Sequence, residues 1–410
     1  MSGVDRIVKA RLAMLTVTDG KARAVGETPQ SRLNSLDQFR GYTVAAMFAV
    51  NFLGGYAATP ALLRHHNTWC SFADMVMPQF FFAAGMALRL VMLRETRHHG
   101  RAAALHRGLR RGLALMVLGF VWYGPRGFET WERLSTASGF DITRNVFLTS
   151  AFQALTHIGA TSLWVLPVIA GSVRSRLLWM LASAGLHAGL SYAIWYKTLF
   201  IWGVIDGGPL GFLTWALPFL AGSLALDAVR GNASVPQASQ ASLAAGDGEP
   251  QSAADSSVAS LGKPRSPLNV ILWGAAALMA MGYGLACFTG GGTLAAPPFV
   301  HPWHPADMWT MSQKAGSVSY LAFSAGFSLA IFAFFHWWSD LRGRSTTLFA
   351  DLGRNALAAY LIHSVVMNGT EHLGPRTSPL WWAVCLSTVG FLLSWAFTRW
   401  LNERKIFLRL

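Results

Sequence analysis

What most limits this chain is a series of apolar stretches close to membrane-spanning length, separated by short polar or basic segments. A bilayer core needs roughly 20 apolar residues per helix. About ten such stretches stand out, near 41–60, 72–92, 109–124, 148–171, 177–196, 209–229, 268–288, 316–338, 347–368 and 380–400. Only helices or closed barrels satisfy their backbone polar groups in lipid. Stretches of this length are helices, so the expected fold is all-α: a polytopic transmembrane helical bundle. Composition agrees. The chain is 53% hydrophobic and 13% charged, with about half the charged fraction of a soluble domain.

Basic residues give the expected orientation. The N-terminal segment, the loop after the second stretch (Arg94 to Arg111), Arg174 and Arg176, Arg230, Arg342 and Arg344, and the tail at Arg404 and Lys405 all fall on one side of a ten-span chain. That side is expected to be the cytoplasm, with both termini inside. The net charge of +14 is thereby a mark of topology and not of a nucleic-acid partner. The expected organisation is a basic cytoplasmic segment at 1–35, six helices over 36–230, a disordered cytoplasmic linker at 231–267, and four helices over 268–410. The linker is rich in Ala, Ser, Gly and Gln, too polar to bury a core. Cys70, Cys287 and Cys385 lie far apart, with no disulfide framework or metal spacing. No cleavable signal sequence is expected, because residues 1–35 hold no apolar core of the required length.

Polar residues within or beside the apolar stretches are the functional candidates. His66 lies in the loop from Arg64 to Asp74, at the expected outer boundary, where an imidazole exchanges protons near neutral pH. Asp74 is either a helix-dipole partner or the group that holds the His66 imidazole; His65 is the rival for the same job. Asn51, well inside the first stretch, either bonds a neighbouring helix or serves a site. Asn355, Ala359 and His363 are spaced by four, with Tyr360 adjacent, which reads as a lined cavity or as interhelical bonding. Arg40, Arg110 and Arg111 stand at the expected cytoplasmic mouth, where guanidinium forks hold phosphates, though topology alone also puts arginines there. His301 and His304 are three apart, but the Pro302-Trp303 between them and the lone nearby carboxylate, Asp307, argue against a metal site.

Together these segments resemble the heparan-alpha-glucosaminide N-acetyltransferase family and, more widely, the transmembrane acyltransferases. Arg32-Leu33-Asn34-Ser35-Leu36-Asp37-Gln38-Phe39-Arg40-Gly41 through Asn51 looks like the family's opening motif. His66-Asn67-Thr68-Trp69, followed by Asp74 and Pro78, resembles the segment carrying its catalytic histidine. Trp309-Thr310-Met311-Ser312 and Leu352-Gly353-Arg354-Asn355 through Tyr360 and His363 resemble two later motifs, and Gly208-Pro209-Leu210-Gly211 is a weaker fifth match. The chain departs from the pattern in a shorter Trp69–Asp74 interval and in Thr156-His157 where the family has a Gln-Arg pair. The resemblance implies cytoplasmic acetyl-CoA as donor, an amino sugar or glycan across the membrane as acceptor, and a homodimer in a bacterial cell membrane. It implies catalytic roles for His66, Asp74 and Asn51. Arg40, Arg110, Arg111, Asn355, Tyr360 and His363 are then expected along the donor's path. The rival readings are an O-acyltransferase of an envelope glycan or glycolipid, and a sugar or ion transporter.

Overall fold

The computed structural model describes residues 33–66, 68–123, 131–143, 151–231, 266–371 and 373–408. The basic N-terminal segment up to residue 32 and the linker expected at 231–267, its edges apart, lie outside them. The fold is all-α, with no strand among the described residues. In chain order the helices are α1 (Asn34–Gly54), α2 (Val76–Tyr123), α3 (Trp131–Thr136), α4 (Gly139–Thr143), α5 (Ala154–Ile169), α6 (Val173–Leu190), α7 (Tyr196–Trp202), α8 (Phe212–Gly231), α9 (Pro267–Ala286), α10 (Val318–Phe335), α11 (Thr347–Arg354), α12 (Ala356–Glu371) and α13 (Leu380–Glu403).

Among the described residues six stretches are long and apolar enough to cross a membrane: Ala73–Tyr123, Val173–Trp202, Gly208–Gly231, Pro267–Ala286, Val318–Leu341 and Leu380–Glu403. The sequence suggested about ten, and the difference has physical causes. The first stretch holds two helices, because α2 is broken at Gly100 (φ 83°). The chain turns back there, and Arg107 on the second half bonds Glu95 on the first. α1 has spanning length but carries Asp37, Gln38, Arg40 and Asn51, and α5 has only 16 residues. The expected ninth stretch is interrupted: Asn355, at φ −127° and ψ 41°, ends α11 before α12 begins.

Glycines let the central helices touch backbone to backbone, as small residues do in membrane bundles. A Cβ at Gly41 would lie 1.8 Å from the Phe349 carbonyl oxygen, and one at Gly353 would lie 1.9 Å from that of Asp37. These two contacts seat α11 against α1. Gly85 and Gly222 do the same for α2 and α8, each against a carbonyl of the other helix.

The two ends of the bundle differ. At the end holding Asn34, the hydroxyl of Ser35 donates to Asp340, and a buried ion cluster ties three elements together. Arg89 bonds Asp227 through Nε (3.2 Å) and Nη2 (3.0 Å) and also reaches the carbonyls of Ile169 and Gly171. Fully buried Arg176 reaches the same Asp227 and the Ser223 hydroxyl. At the opposite end the segments 55–75, 203–211, 287–317 and 373–379 gather. There Ala57 N–H donates to the Arg376 carbonyl (2.8 Å), Gly207 N–H to that of Lys314 (2.9 Å), and Tyr320 Oη to that of Asp74 (2.5 Å). These gathered segments hold the candidate site.

Candidate active site

Asp74 is the anchor of the site. It sits in a short 3-10 turn (Ala73–Met75) that leads into α2, and it is fully buried. One carboxylate oxygen takes the N–H of Ser71 (2.7 Å) and the Ser71 hydroxyl (3.1 Å). The other is bonded to Nδ1 of His65 at 2.7 Å. The imidazole that Asp74 orients is therefore His65, not His66 as the sequence suggested. The chain is extended at Arg64 (φ −110°, ψ 146°), and in extended chain successive side chains point to opposite faces. One of two adjacent histidines then faces Asp74. His66 turns away, donates from Nε2 to the Ala61 carbonyl (2.8 Å) and stacks on Trp69 at 4.0 Å.

A second carboxylate faces this pair. Asp206 is buried, at 5% exposure, and accepts from Gln313 Nε2 at 2.8 Å. Its φ of 56° is unusual for a residue with a side chain. That conformation is fixed by its neighbours: its carbonyl takes the Trp215 indole N–H (2.8 Å), and Gly207 packs on the backbone of Gly316. Burial raises the Asp206 carboxyl to about 6; the Asp74 charge adds to this, while Gln313 and the His65 charge oppose it. For His65, burial works against the imidazolium, but the Asp74 hydrogen bond and the charges of Asp74 and Asp206 prevail and raise its pKa. Gln313 also faces the ring, and the His65 side chain keeps 48% exposure. The site thus pairs an oriented imidazole with a carboxyl group that holds its proton in the weakly acid range.

Polar groups extend inward from this centre. Asp206 lies within electrostatic range of the Tyr123 hydroxyl at the end of α2. That hydroxyl contacts Tyr360 Oη and accepts from Leu155 N–H at 3.3 Å. One turn along α12, His363 bonds the Tyr360 carbonyl through Nδ1 and Asn51 Nδ2 through Nε2 (3.1 Å). Asn51, Tyr360 and His363, singled out in separate parts of the sequence, thus share one helix junction. His157 is fully buried 6.2 Å from the Trp215 ring, next to Gly211.

The remaining candidates lie elsewhere. Asn355 stands at the start of α12, where its carbonyl accepts from Ala359 N–H (2.9 Å), but its side chain serves the tail and not the junction at His363. Its amide donates to the Ile406 carbonyl (2.7 Å) and accepts from Leu408 N–H (3.1 Å), fastening the tail. Arg111 lies within electrostatic range of Arg40 and Arg107, and Arg110, one residue back on the helix, is exposed.

The arrangement is that of acid–base chemistry at the mouth of a helical bundle. Compared with known families, residues 33–399 match a family model described as an acyltransferase domain. The chain belongs to this acyltransferase family. No curated protein matches it. The family match spans nearly the whole bundle, so the acyltransferase is an integral membrane protein whose transferase domain is the membrane domain itself. Sequence reasoning missed Asp206, Gln313, Tyr123 and Tyr320 as contributors to its site. Asp206 had a usable signal: a carboxylate between apolar stretches, directly before the Gly207-Gly208 turn. Tyr123 and Tyr320 sit among aromatic residues that look like ordinary interior packing, and nothing local marks them.

Proposed function

We propose that the acyltransferase moves an acetyl group from cytoplasmic acetyl-CoA to an amino sugar or other glycan across a bacterial cell membrane. His65 is the general base. The observation that carries this reading is the His65–Asp74 pair, set at 2.7 Å beside Asp206 and Gln313 at the loop-rich end of the bundle. Acetyl-CoA and the glycan come from the sequence resemblance. Arginines crowd the opposite end, which the distribution of basic residues assigns to the cytoplasm. Arg40 and Arg107 each stand close enough there to repel Arg111, with Arg107 also bonded to Glu95. A polyphosphate shared among them relieves that repulsion, as CoA's phosphates would.

The chemistry follows from the geometry. With Nδ1–H donating to Asp74, the neutral His65 ring keeps its lone pair on Nε2. The acceptor's nitrogen or oxygen attacks the thioester carbonyl carbon, and its proton passes to Nε2. Asp74 stabilises the imidazolium so formed. The C–S bond then breaks and the departing sulfur takes the proton from Nε2, leaving the product and free CoA. The Tyr123–Tyr360 hydroxyl pair and the Asn51 side-chain oxygen, the latter oriented by His363, are the groups offered to the donor's amide-bearing arm on its way through the bundle.

Transfer to a hydroxyl, giving an ester, is the second reading. The oriented imidazole favours it specifically: an amine attacks as its free base, whereas a hydroxyl gives up its proton only as it reacts and needs a base at hand. The experiment is reconstitution in liposomes with labelled acetyl-CoA on the side holding the basic residues. The proposal expects acetylated glycan on the other side. Release of the label by hydroxylamine identifies an ester, and resistance identifies an amide. Turnover confined to the donor's side contradicts the reading.

A further inference from the structure

The spanning stretch Val318–Leu341 ends in Trp337-Trp338-Ser339-Asp340-Leu341, and Arg342-Gly343-Arg344 follows directly. A wide π-helical turn (His336–Leu341) closes the helix, and the chain then folds back on it. Arg342 N–H donates to the Trp337 carbonyl (3.0 Å) and Arg344 N–H to that of Trp338 (3.1 Å). Gly343 makes this turn with a φ of 65°, a conformation open to glycine without steric cost. Each arginine is thereby returned to one of two adjacent indoles. The Arg342 guanidinium lies over the Trp337 ring and that of Arg344 over the Trp338 ring, each 5.3 Å from the ring centre. A ring face holds a guanidinium without an acceptor oxygen, so the forked N–H donors stay unspent. Both arginines are exposed, and no carboxylate bonds either of them among the described residues. Asp340, the acid nearest in sequence, is already taken by Ser35 N–H (3.1 Å), the Ser35 hydroxyl and His336 Nδ1 (2.9 Å). The surface beside the two cations is apolar. Phe334, Trp337 and Leu341 are exposed there, although most of this stretch is buried.

We infer that this turn binds the headgroup of an anionic phospholipid in the leaflet at the basic end of the bundle. The phosphodiester takes the N–H donors of Arg342 and Arg344, and the acyl chains run down along Phe334, Trp337 and Leu341. Two unpaired cations directly beyond a spanning helix, with an exposed apolar face below them, match a phosphate carried on hydrocarbon. The phosphates of CoA bring no long chain to cover that face, which decides for the lipid. A zwitterionic headgroup fits less well, because its own ammonium competes for the phosphate. The inference stands apart from the transfer reading, since it uses none of the groups assigned there to donor or base.

The test is native mass spectrometry of the full-length protein in a neutral detergent, titrated with phosphatidylglycerol or with phosphatidylcholine of matched chains. Phosphatidylglycerol is expected to bind about tenfold or more tightly, the scale set by two basic side chains at a headgroup. Arg342→Gln combined with Arg344→Gln should bring the two lipids level. Both positions are exposed, so the variant should fold. Arg342→Lys with Arg344→Lys keeps the charge but loses the planar fork, and should retain part of the preference. Arg94→Gln with Arg101→Gln removes the same charge from exposed positions beside the break in α2 and should leave the preference whole. CoA is the other phosphate source. It should neither displace phosphatidylglycerol nor bind less well to the variant lacking both Arg342 and Arg344. Equal binding of the two lipids by the native protein overturns the inference, as does an equal loss of preference when Arg94 and Arg101 are replaced. Displacement by CoA, or loss of CoA binding on replacing Arg342 and Arg344, overturns it as well and gives the two arginines to the donor.

Discussion

Two adjacent histidines have been given different work by their surroundings. His66 is a strap, stacked on Trp69 and bonded to a backbone carbonyl, while His65 is aimed by a buried carboxylate. The charge state of His65 follows from that carboxylate. Asp74 raises the His65 pKa above its usual 6.5, so the free base appears only as pH climbs past the ordinary imidazole range. Activity in kcat/KM should therefore rise along a limb lying above pH 6.5. Asp74→Asn removes the hydrogen-bonding charge, burial then dominates, and the limb should move to lower pH while the plateau falls. A pH–rate profile of the two proteins checks this. Asp206 makes a separate prediction. Its carboxyl ionises near 6 in the fold against 3.8 in the open chain. The folded state therefore binds this proton more tightly than the unfolded state, and stability falls as pH rises from about 4 through 6. Asp206→Asn keeps a residue that tolerates positive φ. Its thermal stability should gain on the wild type between about pH 4 and 6 and level off above that, as unfolding curves from about pH 4 to 7 will show.

At the scale of helices, close glycine contacts and one ion cluster hold the frame that aims these groups. Gly41→Ala puts a methyl group 1.8 Å from the Phe349 oxygen and must push α11 off α1, with loss of folded protein. Gly185→Ala, on the open face of α6 with nothing within 4 Å, should be neutral or stabilise by about 0.5–1 kcal/mol through helix propensity. Fluorescence size-exclusion chromatography of the two variants separates these outcomes. Asp227 neutralises both Arg89 and Arg176. Asp227→Ala leaves two buried guanidinium groups without their carboxylate and should destabilise by about 3–5 kcal/mol, read as a lowered unfolding temperature. The apolar stretches themselves were legible because lipid demands them. The break at Asn355 was not, because its cause is a tertiary one: α11 lies on α1 at Gly353 while the tail at Ile406 and Leu408 captures the asparagine. Asp74 was visible as a buried acid at a helix start. Which histidine it holds depended on backbone direction over three loop residues, which periodicity does not report.

For the whole molecule, the account separates a basic end from an acid–base end and asks one reaction to use both. The basic end was readable from the spacing of arginines along the chain. The other end was readable only in pieces, since His65, Asp206 and Gln313 come from loops more than 100 residues apart and meet through packing. If Arg40 and Arg111 grip phosphates, Arg40→Ala with Arg111→Ala should raise KM for acetyl-CoA with little change in kcat. The wild-type KM should itself rise with salt, and the double variant should lose most of that dependence. The most direct test of the central claim compares single-site variants in the liposome transfer assay. His65→Ala should lower kcat by about 10²- to 10⁴-fold, the usual worth of a general base, with CoA binding unchanged, while His66→Ala keeps most of its turnover. Full activity in His65→Ala, or loss confined to His66→Ala, would contradict the assignment of the Asp74-bound imidazole as the base.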